Sequence, residues 1–164
     1  MYKILHAENL AGNIFLMQVE APRIAKHCEP GQFLIVRIDE VGERIPLTIC
    51  DYDKEAGTIT IVFQPVGAST ERMSHLKTGD SFIDVVGPLG QPSEFIHEDI
   101  EELKKKKCCL LQEALAPHRC IPRSNGFMNH GVDVDVIVGA KTKDLVILEK
   151  EMEAVAGKLI RDDR

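Results

Sequence analysis

The chain has 164 residues, 44% of them hydrophobic, enough for a real core in one medium domain or two small ones. A net charge of −6 argues against nucleic acid as the main partner, and no stretch approaches the ~20 apolar residues of a membrane span. Five cysteines form an odd set without framework spacing, and MYKILHAENL lacks the order of a signal peptide, so a cytoplasmic protein is expected.

Residues 1 to 90 alternate short apolar runs with turn signals. YKILHAENL and NIFLMQVEAP are joined by Ala11-Gly12-Asn13, which predicts a hairpin. GQFLIVRI follows the turn pair Pro30-Gly31, and RIPLTICDYD is the next run. In GTITIVFQPV, Thr58, Thr60, Val62 and Gln64 alternate with Ile59, Ile61 and Phe63. STERMSHLKTG reads as a short helix, and DSFIDVVGPLG closes the series. About six strands at this spacing predict a small antiparallel Greek-key barrel.

The remainder changes character. HEDIEELKKKK is polar and marks a boundary, and its lysine run reads as a solvated face. VDVDVIVGAKTKD predicts a strand ending at Gly139-Ala140. KDLVILEKEMEAVAGKL then places Leu145, Leu148, Met152, Val155 and Leu159 at helical spacing. Strand then helix is an α/β unit. The expected fold class is therefore β plus α/β: an N-terminal barrel over residues 1–98 and a partial α/β lobe over 99–164.

PGQFLIVRID, ERIPLTICDYD, TITIVFQPVGASTERM and GDSFIDVVGPLGQPS, in that order, resemble the ferredoxin–NADP reductase superfamily. The resemblance is to its branch of electron-transfer subunits, found in dihydroorotate dehydrogenase B, sulfide dehydrogenase and bifurcating ferredoxin–NADP oxidoreductase. It runs from Met1 to Pro92 and resumes from Gly131 to Lys158. It implies a barrel that binds FAD, a lobe that binds NAD(P)H, and a [2Fe-2S] segment whose ligands have no counterpart in this chain. Pro46, Leu47 and Thr48 match the strand beside the isoalloxazine ring, where a hydroxyl hydrogen-bonds near the reactive nitrogen. The family's phosphate-binding arginine falls on Ile45, and Arg44 lies one residue earlier. An offset of one turns a side chain to the other face, so Arg44 reaches the pyrophosphate if a bulge intervenes.

By the same resemblance Val62, Phe63 and Gln64 line the ribityl and adenine side. Gly67, Ala68, Ser69 and Thr70 form a turn opening a helix, where backbone N–H groups and hydroxyls hold a pyrophosphate. GPLG (Gly87 to Gly90) matches the segment leading to the nucleotide lobe, and reads equally as a plain turn. Cys50 reads as a buried small hydrophobe and Cys28 as a turn residue. No acid–base pair or nucleophile is legible, so no catalytic side chain is expected.

Residues 104 to 130 hold Cys108, Cys109, Cys120, His118 and His130. Adjacent cysteines lack the C-x2-4-C spacing of common zinc sites, so no metal site is expected. The resemblance implies an apolar strand here followed by a turn like GGxGxAP. Residues 108 to 127 read as neither. Shifting the codon frame explains the gap: one permitted set of codons for Cys109 to Gly126, read from its third base, spells FVAGGVGTAPVYPQVKW. LIRDDR behaves similarly, shifting to LYVTTD. The expectation is a local frame excursion over about 108–127 and a second shift near Leu159 that ends the chain early.

The implied function is a flavoprotein oxidoreductase subunit passing electrons from NAD(P)H through FAD and an iron–sulfur cluster to a catalytic partner subunit. That partner would be dihydroorotate-dehydrogenase-like or glutamate-synthase-like. The rival is a non-catalytic FAD-binding remnant or a barrel interaction module.

Overall fold

The computed structural model describes residues 1–105, 108–113, 127, 131–139 and 147–162. The chain begins with a hairpin, β1 (Tyr2–Ala11) and β2 (Ile14–Glu20), paired from Ile4↔Val19 to Ala11↔Ile14. Gly12 turns it with φ +52°, a conformation that glycine adopts without strain. A short helix α1 (Pro22–His27) follows, unforeseen in the sequence; Pro22 sits in its first turn, where the missing N–H costs nothing. Then come β3 (Phe33–Arg37), β4 (Ile45–Asp53), β5 (Thr58–Phe63) and helix α2 (Ala68–Ser74). DSFIDVVGPLG splits into β6 (Ser81–Phe82) and β7 (Asp84–Leu89).

These strands form one antiparallel sheet in the order β6-β1-β2-β5-β4-β3-β7. Its two edges, β6 and β7, are separated in sequence only by Ile83, whose N–H donates to Arg37 O at 3.0 Å. A sheet that starts and ends on one continuous segment must curl toward closure, so the Greek-key barrel follows from the topology. Period-two patterning fills it. Ile59, Ile61 and Phe63 of β5 join Ile45 and Ile49 of β4, Leu34 and Val36 of β3, and Met17 and Val19 of β2 in one core. Each buried aliphatic side chain there contributes about 1.5–3 kcal/mol relative to exposure. Cys28 lies in that core too, fully buried at the C-terminal cap of α1 rather than in an open turn.

Beyond a 3-10 turn (Glu94–His97), the polar boundary segment forms helix α3 (Ile100–Lys105). A second sheet follows: β8 (Cys108–Glu113), β9 (Val134–Gly139) and β10 (Lys158–Asp162), all parallel, in the order β10-β9-β8. Helix α4 (Glu149–Val155) connects β9 to β10. Two expectations are corrected here. Residues 108 to 113 are a strand, registered from Cys108↔Val134 to Glu113↔Gly139, because CCLL is a short apolar run beside a valine-rich strand needing a neighbour on that edge. The predicted long helix is shorter: Leu148 is its N-cap, and Leu159 lies in β10. Leu145, His118, Cys120 and His130 lie outside the described residues.

Val132, Val134, Val136, Val138 and Met152 build a second core with Leu103 and Phe127, and Phe95 stacks on Phe127 with ring centroids 3.9 Å apart. Ile14, Cys50 and Val62 from the barrel's outer surface belong to this same core. The face of β2, β4 and β5 that period-two patterning turns outward is thus partly covered. Among the described residues, no helix is long and apolar enough to cross a membrane.

Candidate functional site

Strand β4 sorts the RIPLT residues by parity. Ile45 (8% exposed) and Ile49 face the barrel core with Leu47 packed against it, while Pro46 is exposed and Thr48 half-buried on the other face. The ladder from Val36↔Ile45 to Phe33↔Thr48 is unbroken, and the irregularity in β4 falls later, between Ile49 and Asp51. No bulge therefore falls between Ile45 and Thr48, and Arg44 lies just ahead of the paired strand. The position occupied by arginine in the resemblance is filled here by a core isoleucine. Arg44 reaches past β3 to Asp84 of β7, with Nη1 3.1 Å from Oδ2.

The β3–β4 connection is itself folded. Arg37 Nε donates to Gly42 O at 3.0 Å, its guanidinium also reaches Glu40 O, and Asp39 Oδ1 accepts the Val41 N–H at 3.1 Å. Two side chains of this loop contact α2: the Asp39 carboxylate pairs with Arg72, and the Glu43 carboxylate accepts the Ser69 hydroxyl. Desolvation raises the Asp39 pKa, but the Arg72 hydrogen bond and charge, together with the Val41 and Gly42 N–H groups, outweigh it and hold the carboxyl below its ordinary range. Glu43 is the residue that joins the RIPLT segment to the GAST turn. Its neighbour Arg44 is the cation paired with Asp84.

The GAST turn is organised from within. Thr70 Oγ1 accepts the N–H groups of Val66 (3.0 Å) and Gly67 (3.2 Å) and donates to Gly67 O (3.0 Å). Its hydroxyl shapes the turn. Ser69 is half-buried, while Gly67 and Ala68 stand open at the first turn of α2, where helical geometry leaves N–H groups without intrahelical acceptors. Gln64 donates its amide to Asn13 Oδ1 at 2.7 Å, linking this end of β5 to the first hairpin.

The other expected site residues are placed differently. Phe63 is 5% exposed, in the barrel core, and stacks on Phe15 with centroids 5.7 Å apart. Val62 is on the outer face but 4% exposed, covered by the second core. Pro46 and Thr48 share one face of β4, and Arg44, just before the strand, follows Glu43, whose carboxylate contacts Ser69 of the turn. Sequence reading missed Glu43, Asp39 and Arg72; the signal available was the charge-dense loop DEVGER between two apolar strands. GPLG is a clamp: Gln32 donates to Gly90 O at 3.1 Å, and a Cβ on Gly90 (φ +82°) would lie 2.9 Å from the Phe33 ring.

A cavity of about 210 Å³ lies between Thr60, Gln18, His6, Asp51 and Cys50 on the barrel and Leu148 on the second lobe. Another, of about 350 Å³, lies between the first hairpin and the C-terminal end of α2, and Thr48 and Ser69 line neither. Among the described residues, no three His, Cys, Asp or Glu are grouped to hold a metal ion. The donor set of Arg44, Arg72, Ser69 and open first-turn N–H groups fits a pyrophosphate in its chemistry. Exposed carboxylates hold the two arginines in pairs of the kind worth about 0–1 kcal/mol, which an anion can displace.

No protein-family model matches the chain. It is 52% identical over 159 residues to an uncharacterized protein in the adh 3′ region of Clostridium beijerinckii, covering 97% of this chain and 54% of that protein. It is 33% identical over 161 residues to the dihydroorotate dehydrogenase B (NAD(+)) electron transfer subunit homolog of Thermotoga maritima, covering 98% and 55%. The structure of an NADH-dependent reduced ferredoxin-NADP oxidoreductase, studied for flavin-based electron bifurcation, superposes with a TM-score of 0.87 at 31% identity, covering 99% of this chain and 57% of that one. The chain thus spans about half the length of the curated relatives it matches. Over nearly its whole length, the chain is a homologue of dihydroorotate dehydrogenase B electron-transfer subunits and carries the fold of ferredoxin–NADP reductase-type proteins.

Proposed function

We propose that this chain is the flavin-binding part of an electron-transfer subunit, holding FAD on the outer face of its barrel. The observation that carries this reading is the Glu43–Ser69 contact, which sets the loop leading into β4 against the GAST turn. In this reading Pro46 presents an apolar surface to the flavin ring and Thr48 a hydroxyl to its edge. Gln64 serves the ribityl chain, and Arg44, Arg72, Ser69 and the N–H groups after Gly67 hold the pyrophosphate. Leu47 and Phe63 support that surface from the core side. Bound FAD would supply the chemistry, exchanging two-electron and one-electron currency; the protein holds and tunes it. The donor would be NAD(P)H and the final acceptor a catalytic partner subunit, in keeping with relatives named electron transfer subunits of an NAD(+)-linked dehydrogenase; the [2Fe-2S] cluster between them is what the resemblance implies.

A second reading rests on one sequence fact: no glycine occurs between Cys108 and Asn125, so β8 is not followed by a glycine-rich phosphate turn. We infer a frame excursion over residues 108 to 127, one that keeps an apolar strand but loses the turn. Resequencing this locus tests it, and the chain would then be an FAD-binding remnant. Purification under mild conditions, with flavin absorbance and titration by added FAD, tests the main reading. A colourless protein that also refuses FAD would overturn it. Dithionite should bleach any bound flavin, whereas NADH should do so slowly or not at all.

A further inference from the structure

The side-chain donors assigned to the flavin pyrophosphate are engaged by the protein's own carboxylates. Arg72 meets Asp39, Arg44 meets Asp84, and the Ser69 hydroxyl meets Glu43. Each contact joins separate elements: two tie the β3–β4 loop to α2, and one ties the start of β4 to β7. A carboxylate oxygen and a phosphate oxygen are acceptors of the same kind, so these links mark where a ligand anion would compete. They differ in what else they do. Asp39 also accepts the Val41 N–H and thereby shapes its loop, whereas among the described residues the Glu43 carboxylate makes one hydrogen bond, to Ser69. The loop keeps the Arg37 Nε–Gly42 O and Gly42 N–Asp39 O bonds without it.

We propose that Glu43 is an internal competitor of the flavin pyrophosphate, an exposed carboxylate that occupies Ser69 and must be displaced when FAD binds. The inference rests on the flavin reading and adds a determinant of affinity to it. Because Glu43 is exposed, its contact is weak enough to exchange, and its negative charge beside the turn opposes a second anion.

The test compares Glu43→Gln and Glu43→Ala with a charge control on the same loop, Glu40→Gln, by titrating each 164-residue protein with FAD, riboflavin and ADP. Both Glu43 variants should bind FAD and ADP about two- to fivefold more tightly, the range set by one exposed charge contact. Riboflavin, which lacks the pyrophosphate, should bind all proteins equally, and Glu40→Gln should match the parent. Two variants guard against a folding defect in one of them. Unchanged or weaker FAD binding in both Glu43 variants overturns the proposal, as does an equal gain in Glu40→Gln or a parallel gain for riboflavin. If the parent and every variant refuse FAD, the flavin reading itself fails, a distinct result.

Discussion

Arg44 and Asp84 form an ion pair at 3.1 Å on the outside of the barrel, and the residue after Arg44, Ile45, is packed inside it. One position along the strand thus separates an exposed cation from a core aliphatic. The β3–β4 ladder, unbroken from Ile45 to Thr48, fixes Ile45 on the inner side.

Ile45→Arg, which would move the arginine to the position it holds in the resemblance, should therefore fail. It forces a charge into the barrel core without a partner, at a cost of at least ~3 kcal/mol. Arg44→Ala should cost less than about 1 kcal/mol of stability, because the pair it breaks is exposed. It should nevertheless weaken FAD about tenfold through loss of a charge-assisted contact. Urea unfolding and FAD titration of both variants check this. A stable, FAD-tight Ile45→Arg protein would show that the strand register has been misassigned.

The GPLG clamp makes a separate prediction. Gln32 is 9% exposed; its amide donates to Gly90 O at 3.1 Å while its carbonyl oxygen accepts the Glu29 N–H at 2.9 Å. Gln32→Leu fills a similar volume but leaves two backbone groups unpaired, and should destabilise the protein by roughly 1–3 kcal/mol. Chemical denaturation measures it directly. A neutral result would mean that water replaces both bonds.

The barrel was legible because its strands are short, alternate cleanly and are separated by turn residues. Ile59, Ile61 and Phe63 were assigned one face from period alone, and they share a core. The same rule could not say that Val62, on the opposite face, would be covered, since that depends on the second lobe. α1 escaped notice because PRIAKH is too short to show a helical period, and it forms by docking Ile24 and Ala25 into the barrel. β8 was not legible because CCLL is a short apolar run without alternation, which periodicity cannot tell from a buried helical turn. The RIPLT and GAST motifs were legible as motifs; the loop carboxylates joining them depend on how DEVGER folds back onto α2.

The barrel's buried thiol predicts an alkaline limit. Burial pushes the Cys28 thiol up to about 12 from an ordinary 9.0, against a lowering by Lys54. Tyr52 is pushed up to about 12 from 10.0, first by burial and then by Cys28. Both are acids that the fold keeps neutral, so the unfolded chain releases their protons first. Their stabilisation is fully present below pH 9 and is lost as pH rises toward 12, at about 1.4 kcal/mol per pH unit for Cys28 across that window. Cys28→Ala should flatten the decline between pH 9 and 11 measured by urea unfolding. An identical slope in the variant would assign the alkaline loss to other groups.

Restoring the nucleotide turn tests the frame reading. β8 and β9 already lie parallel in register, so the second lobe supplies the strand end from which a phosphate-binding turn would project. What it lacks is a run of glycines that lets backbone N–H groups approach a pyrophosphate closely. Replacing residues 110–126 with FVAGGVGTAPVYPQVKW keeps the chain length and changes that segment alone. Binding is the right readout, because the chain spans about half of its relatives and turnover would require what the remainder supplies. The replaced protein should bind NADH at least tenfold more tightly than the parent, by nicotinamide fluorescence, with FAD binding unchanged. Equal NADH affinity in a replaced protein that still takes up FAD would remove the shifted-frame explanation and leave residues 108–127 as a segment with a different role.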